Sequence, residues 1–182
     1  MTPLVIDASA AIAYLTGEAA GVRVERALEP RRKALVPWIF WSEVINVLAR
    51  RHRWPGSQVL AAVHDLEQMG LQTEQPSRVS MLAVIDTVDA RGLTAYDAEY
   101  LVLAESSGGD LLTGDARLAQ AAGPRAILIG MDPRIGERSG TYEPHPPDQD
   151  PDWPRWSGAT DYLAELRREV QRDLVARSAP TD

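Results

Sequence analysis

Cysteine is absent from the 182-residue chain, which excludes disulfides, thiolate nucleophiles and every zinc site built on sulfur. Histidine is scarce. The three histidines, His52, His64 and His145, lie far apart in the sequence and form no H-x-x-x-H pair. A histidine general base or a histidine-rich metal site is therefore not expected. Catalysis has to come from carboxylates, hydroxyls, amides or arginine, and oxygen ligands of this kind suit Mg²⁺ or Mn²⁺.

Long apolar runs are missing as well, since none reaches the roughly 18 residues of a membrane span. The N-terminal sequence MTPLVIDASAAIAYL has Asp7 as its only early charge and lacks the basic region of a secretion signal. We therefore expect a cytoplasmic protein with no membrane partner.

Positive charge is limited, and Lys33 is the only lysine. The net charge of −7 argues against a sequence-blind nucleic-acid coat, which would usually be basic. It is compatible with a nuclease that has an acidic metal site and local arginine patches. The length and the 45% hydrophobic content favour one globular domain with an appendage.

Short apolar runs alternate with helix-compatible stretches along the first 130 residues. This alternation predicts an α/β fold, a three-layer α/β/α sandwich with a mainly parallel sheet of about five strands. The predicted strands are 4–6, 34–36, 71–74 at an edge, 111–113 and 126–129, the last two buried. The predicted helices are 8–15, 18–29, 39–53, 59–69, 77–92, 94–107 and 115–122.

The sequence changes character after about Gly130. We predict one domain over residues 1–132 and, over 133–182, a Pro/Asp-rich linker followed by an amphipathic helix. The apolar stripe of that helix consists of Tyr162, Leu163, Leu166, Val170 and Leu174.

Four acids occupy comparable places in this pattern. Asp7 and Asp115 follow predicted strands, whereas Glu43 and Asp97 lie early in predicted helices. In parallel α/β sheets ligands bind beyond the carboxyl ends of the strands, so we expect these side chains at one rim. Clustered carboxylates repel one another, and a divalent cation that binds between them removes this repulsion. Such a cation can polarise a phosphodiester and activate water.

Each acid also has a structural explanation. Asp7 and Asp115 could cap the helices that follow them. Thr94 and Asp97 stand at the capping spacing. Glu43 lies on an apolar helix and is harder to explain in this way. The joint arrangement is the stronger signal.

The segments VIDASA, SEVINVL, YDAEYLVLA and LLTGDARLA occur in that order. Together they resemble the four-part pattern of PIN-domain nucleases, specifically the VapC-like toxins of type II toxin–antitoxin systems, over roughly residues 3–130. The resemblance implies an endoribonuclease that hydrolyses RNA with a metal-activated water, with Mg²⁺ or Mn²⁺ as cofactor. A homodimer and a cognate antitoxin protein are further implications. The implied catalytic and metal-binding residues are Asp7, Glu43, Asp97 and Asp115.

The resemblance also suggests supporting residues. Thr113 matches a hydroxyl near the metal, and Ser9 and Asn46 are candidates to support the acids. Thr113 could equally be an ordinary strand residue, Ser9 a helix-start residue and Asn46 a solvated polar residue.

Basic residues near the end of the third predicted helix offer phosphate contacts. Arg50, Arg51 and Arg53 are tentative RNA-binding residues, and Trp54 could supply a stacking surface. Cations at a helix end are also favoured by its dipole. A second basic cluster is formed by Arg31, Arg32 and Lys33.

The chain departs from the family pattern in its extension beyond the last predicted strand. This extension could pack on its own core, inhibit the acidic site, or dock an antitoxin through Arg155, Arg167, Arg168 and Arg172. A phosphoacceptor receiver domain would need a late lysine, and a dehalogenase-like phosphatase a second acid after Asp7. The remaining alternative is a PIN fold that binds RNA or protein without turnover.

Overall fold

A computed structural model describes residues 2–17, 20–28, 33–130, 167–168 and 170–172. Its centre is a sheet in which all five strands run parallel, in the order β3-β2-β1-β4-β5. The strands are β1 (Leu4–Ile6), β2 (Ala34–Pro37), β3 (Gln72–Glu74), β4 (Asp110–Thr113) and β5 (Ala126–Leu128).

Helices connect and flank the strands, which confirms the predicted α/β/α sandwich. In one group of helices, α1 packs against α2 and α3. In the other, α6 packs against α5 and α7. The helices are α1 (Ala8–Leu15), α2 (Gly21–Leu28), α3 (Phe40–Asn46), α4 (Gly56–Gln68), α5 (Arg78–Arg91), α6 (Ala95–Ser107) and α7 (Ala116–Ala122).

The middle of the sheet explains the unbroken apolar runs of the sequence. β1 lies between β2 and β4 with all three of its residues buried, as expected for a strand covered on both faces. Beyond its last residue, the backbone N–H of Asp7 donates to the carbonyl of Leu112 at 3.0 Å. The carboxyl ends of β1 and β4 are therefore held side by side.

Several predicted elements are altered at their ends. The predicted helix 39–53 continues past α3 through a π-helical turn, Val47–Arg51, and stops before Arg53, whose φ is +55°. β3 is an edge strand, as predicted. The prediction of a buried strand at 126–129 is wrong for β5, because it lies at the opposite edge and Leu128 is 49% exposed.

The linker and most of the predicted C-terminal helix lie outside the described residues, so the boundary at 132/133 stays a prediction. The described positions there, 167–168 and 170–172, have helical backbone. Within the described part of the chain, no helix is long and apolar enough to cross a membrane.

Candidate active site

Asp7 is a buried carboxylate at the carboxyl end of β1. It occupies the N-cap position of α1, yet its side chain makes no capping hydrogen bond. Its Oδ2 instead accepts hydrogen bonds from the hydroxyls of Ser9 and Thr113, the latter at 2.7 Å. The capping explanation therefore does not account for Asp7, which is only 8% exposed.

The same two hydroxyls tie the loop after β4 to the start of α1. Ser9 Oγ accepts from the backbone N–H of Gly114 at 2.9 Å, and Thr113 Oγ1 accepts from the N–H of Asp115 at 2.9 Å. Thr113 is fully buried. Ser9 and Thr113 thus orient Asp7 and at the same time fix the backbone that carries Asp115.

Asp115 and Asp97 do cap helices. Asp115 Oδ1 accepts from the N–H groups of Arg117 and Leu118 at 2.6 and 3.0 Å, at the start of α7. Asp97 and Thr94 bond reciprocally at the start of α6: the Thr94 hydroxyl donates to Asp97 Oδ2 at 2.8 Å and accepts from the Asp97 N–H at 3.1 Å. Helix capping, the structural explanation given above, therefore holds for both acids. In each, the hydrogen bonds described here use one carboxylate oxygen and leave the second for a ligand.

Glu43 is half-buried on α3 and is held from α6. The hydroxyl of Tyr100 donates to Glu43 Oε2 at 2.5 Å, and Tyr100 is only 1% exposed. Sequence reasoning missed this tyrosine. Its position three residues after Asp97 was an available signal, because residues at this spacing share a helix face.

The four acids, which we call the acidic quartet (Asp7, Glu43, Asp97 and Asp115), include three whose pKa is raised. Burial raises the pKa of Asp7, of Asp97, and of Glu43 to about 7. The charges of Asp7 and Asp97 raise the pKa of Glu43 further, and the charge of Asp115 raises that of Asp97. Four acids from distant parts of the sequence thus lie close enough to interact electrostatically.

A fifth acid, Glu99, lies at the margin of the quartet and was also missed. Burial raises its pKa, a hydrogen bond from Trp38 opposes that rise, and its charge raises the pKa of Glu43. Glu99 also borders a mainly apolar groove between α5 and α6, whose other walls include Pro37, Met81, Val84, Ile85 and Val102.

The quartet fits a hydrated divalent cation better than a closed metal cage. Among the described residues, no three acids or histidines are grouped as a complete ligand set. The hydrogen bonds above engage Oδ2 of Asp7 and Asp97, Oε2 of Glu43 and Oδ1 of Asp115, so each carboxylate has a second oxygen for a ligand. Mg²⁺ suits such a site, because it keeps several waters and usually takes only one or two carboxylates.

Other predicted site residues are not brought into this hydrogen-bonded network. Asn46 is exposed at the end of α3, and Arg50, Arg51 and Arg53 are exposed beyond it. Trp54 is half-buried and packs against the core, and its role as a stacking surface stays a prediction.

The second basic cluster and the arginines of the extension are only partly described. Lys33 contacts Glu74 at 3.8 Å, whereas Arg31 and Arg32 lie outside the described residues. Arg155 lies outside them as well. Three further arginines of the extension are exposed, namely Arg167, Arg168 and Arg172.

Comparisons with known proteins identified a matching family model and solved structures of similar fold. The family model of the PIN domain matches residues 4–124. The fold is similar to the crystal structure of a protein from Pyrobaculum aerophilum, with 27% identity, a TM-score of 0.53, and coverage of 70% of this chain and 90% of that one. It is also similar to a chain of a toxin–antitoxin complex from Klebsiella pneumoniae, with 18% identity, a TM-score of 0.56, and coverage of 68% and 95%. No curated protein sequence matches the chain.

Proposed function

The chain belongs to the PIN-domain family, and on that premise we propose that it is a metal-dependent endoribonuclease, the toxin of a toxin–antitoxin pair. Proteins of this family are generally nucleases that use divalent metal ions. The observation that carries the proposal is the hydrogen-bonded placement of the acidic quartet at the carboxyl end of the sheet, where Thr113 links Asp7 to Asp115 and Tyr100 links Glu43 to the helix of Asp97. Such an arrangement of acids destabilises a metal-free fold and is explained by a cation ligand.

The proposed cofactor is Mg²⁺ or Mn²⁺, held by Asp7, Glu43, Asp97 and Asp115. When bound, the ion would supply charge stabilisation at the phosphodiester and a lowered pKa for a nearby water. Protons compete for the same oxygens, because the metal-free pKa values of Asp7, Glu43 and Asp97 are raised. Metal binding should therefore strengthen as the pH rises through about 7.

The chain's own residues would orient the carboxylates and thus the substrate phosphate. Ser9 and Thr113 both donate to Oδ2 of Asp7, and Tyr100 donates to Oε2 of Glu43. These bonds fix the acids before substrate arrives, so little reorganisation is needed when charge develops on the phosphate. The products expected of this chemistry are a 5′ phosphate and a 3′ hydroxyl.

The phosphate backbone of RNA would be bound by residues other than the acidic quartet. Arg50, Arg51 and Arg53 follow the helix that carries Glu43, and all three are exposed. Because the chain carries a net charge of −7, a local arginine patch is needed to offset repulsion of the phosphate backbone.

An antitoxin protein is the proposed partner, and a cytoplasmic homodimer the proposed form. The similarity in fold to a chain of the Klebsiella pneumoniae toxin–antitoxin complex motivates the partner. The arginine-rich extension is a candidate antitoxin-docking or inhibitory element, because guanidinium groups pair with carboxylates.

A second candidate is a PIN-fold module that binds RNA or protein without cutting. The exposed Arg50, Arg51 and Arg53 would serve such a module as well as a nuclease, because phosphate contacts need no cleavage. The two candidates differ in one respect, because only the nuclease needs the cation for its effect on RNA.

The test is to incubate the purified full chain with total RNA, and in parallel with single-stranded DNA, after treatment with EDTA. Adding back Mg²⁺ or Mn²⁺ should restore cleavage of RNA, and end-mapping should find 5′ phosphates. RNA that stays intact with either metal, although the protein binds it, would favour the silent module.

A further inference from the structure

The hydroxyl of Tyr100 joins three parts of the candidate active site. It donates to Glu43 Oε2 at 2.5 Å, and the backbone of Ala8, the residue after Asp7, lies beside it. Tyr100 itself lies on α6, three residues after Asp97. One buried side chain thus connects the helices that carry Glu43 and Asp97 with the start of the helix that follows Asp7.

Core packing alone does not explain this hydroxyl. Tyr100 is 1% exposed, and a phenylalanine would fill nearly the same volume without a polar atom to satisfy. A tyrosine hydroxyl keeps its proton at neutral pH, so it remains a donor to the carboxylate of Glu43. A permanent donor is what a carboxylate requires to hold one orientation.

The hydrogen bond from Tyr100 restricts the side chain of Glu43. A glutamate side chain has several rotatable bonds, and fixing it costs conformational entropy of up to about 2 kcal/mol. Because the hydrogen bond to Oε2 already forms when the protein folds, this entropy is lost during folding and not when the cation binds. Oε1 then remains as the oxygen that can bind a cation.

We propose that Tyr100 is a positioning residue that holds Oε2 of Glu43 so that Glu43 can bind the divalent cation. This inference rests on the proposed function, since it concerns the metal of that same site. No chemical step is assigned to Tyr100 itself. Its effect is exerted through Glu43.

The experiment is calorimetric titration of Mn²⁺ into the metal-free full chain, with no RNA present. Tyr100→Phe should weaken Mn²⁺ binding by about 10-fold or more, the usual effect of removing a group that orients a metal ligand. The matched control is Tyr96→Phe, which removes a hydroxyl from the same helix at a side chain that is 58% exposed. Its affinity should stay within about twofold of the original.

A second control separates positioning from packing. Leu101→Val trims a fully buried neighbour of Tyr100, and such substitutions typically cost about 0.5–1.5 kcal/mol of stability. It should lower the thermal midpoint and leave Mn²⁺ affinity unchanged. If Leu101→Val weakens Mn²⁺ binding as much as Tyr100→Phe does, the effect is general packing and the inference is overturned.

The remaining outcomes are distinguishable. If the original chain and the Tyr100→Phe variant bind Mn²⁺ equally well, the positioning role is overturned and the proposed function stays intact. An original chain that binds no Mn²⁺ would overturn the metal-dependent function itself, and the positioning role with it.

Discussion

Thr113 Oγ1 donates a hydrogen bond of 2.7 Å to Asp7 Oδ2, joining two buried residues that are 106 positions apart in the sequence. The same oxygen accepts the backbone N–H of Asp115 at 2.9 Å. Thr113 therefore links two members of the acidic quartet, and its hydroxyl cannot be replaced by an apolar group without loss at both.

Replacing Thr113 with valine should affect both stability and cleavage. Valine keeps the shape but leaves the buried Asp7 without one of its donors, which should cost about 1–3 kcal/mol of unfolding free energy. RNA cleavage should fall at least about tenfold, because an orienting group of a metal ligand is lost. Urea unfolding and initial cleavage rates would measure the two effects. Thr87→Val, at a half-buried position on α5, should change neither appreciably.

The stability of the metal-free protein should fall as the pH rises. Glu43 has a pKa of about 7 in the fold against an ordinary 4.5, so between these values the folded state holds a proton that the unfolded chain has released. Stability from this group is fully present below about 4.5 and is lost as the pH rises through about 7. The raised pKa values of Asp7 and Asp97 act in the same direction.

Thermal midpoints in EDTA between pH 5 and pH 8 would measure this dependence. Glu43→Gln should flatten the curve, whereas Glu25→Gln, at an exposed position on α2, should leave it as steep as in the original. A Glu43→Gln curve as steep as the original would contradict the assignment.

Asp115 is expected to have two separable roles. Asp115→Asn retains an oxygen that can cap α7 but removes the charge, so the protein should remain stable and lose cleavage. Asp115→Ala should lose cleavage as well and be less stable by a further ~1 kcal/mol, because the cap is also gone. Chemical denaturation of both variants beside their RNA cleavage would test this. Full activity in Asp115→Asn would show that capping is its only role.

Charge reversal at Arg50 and Arg51 should weaken RNA binding without affecting the acids. Losing two phosphate contacts should lower the slope of log affinity against log salt by about 1.4 for single strands. Binding of labelled RNA to the Asp7→Asn protein at several salt concentrations would show it. Arg23→Glu combined with Arg26→Glu, at two exposed positions on α2, serves as the control of equal charge change. An unchanged slope would remove these arginines from the proposal.

Much of the fold could be predicted from the sequence because local patterns determine it. The apolar run before Asp7 is a strand buried on both faces, and Gly92 ends α5 with a φ of +62°, which glycine adopts readily. The partial exposure of β5 could not be inferred in this way, since apolar residues also occur in edge strands. Edge position depends on strand order, which no local pattern specifies.

The acids of the candidate site and the two hydroxyls that hold Asp7 were visible in the sequence, whereas the neighbours of Glu43 were harder to identify. Asp7 and Asp115 stand after apolar runs, which single them out. Tyr100 and Glu99 approach Glu43 from another helix, a relationship that depends on where the fold places α3 and α6. The sequence shows only that Tyr100 shares a helix face with Asp97.

The most direct test of the central claim compares two variants that lose the same charge. Asp7→Asn changes the buried acid of the quartet, and Asp65→Asn changes an exposed acid on α4. Both full chains would be incubated with RNA and Mg²⁺ or Mn²⁺, and their initial rates of cleavage compared with the original. The account predicts cleavage at background for Asp7→Asn and an unchanged rate for Asp65→Asn. Equal cleavage by the two variants would contradict it.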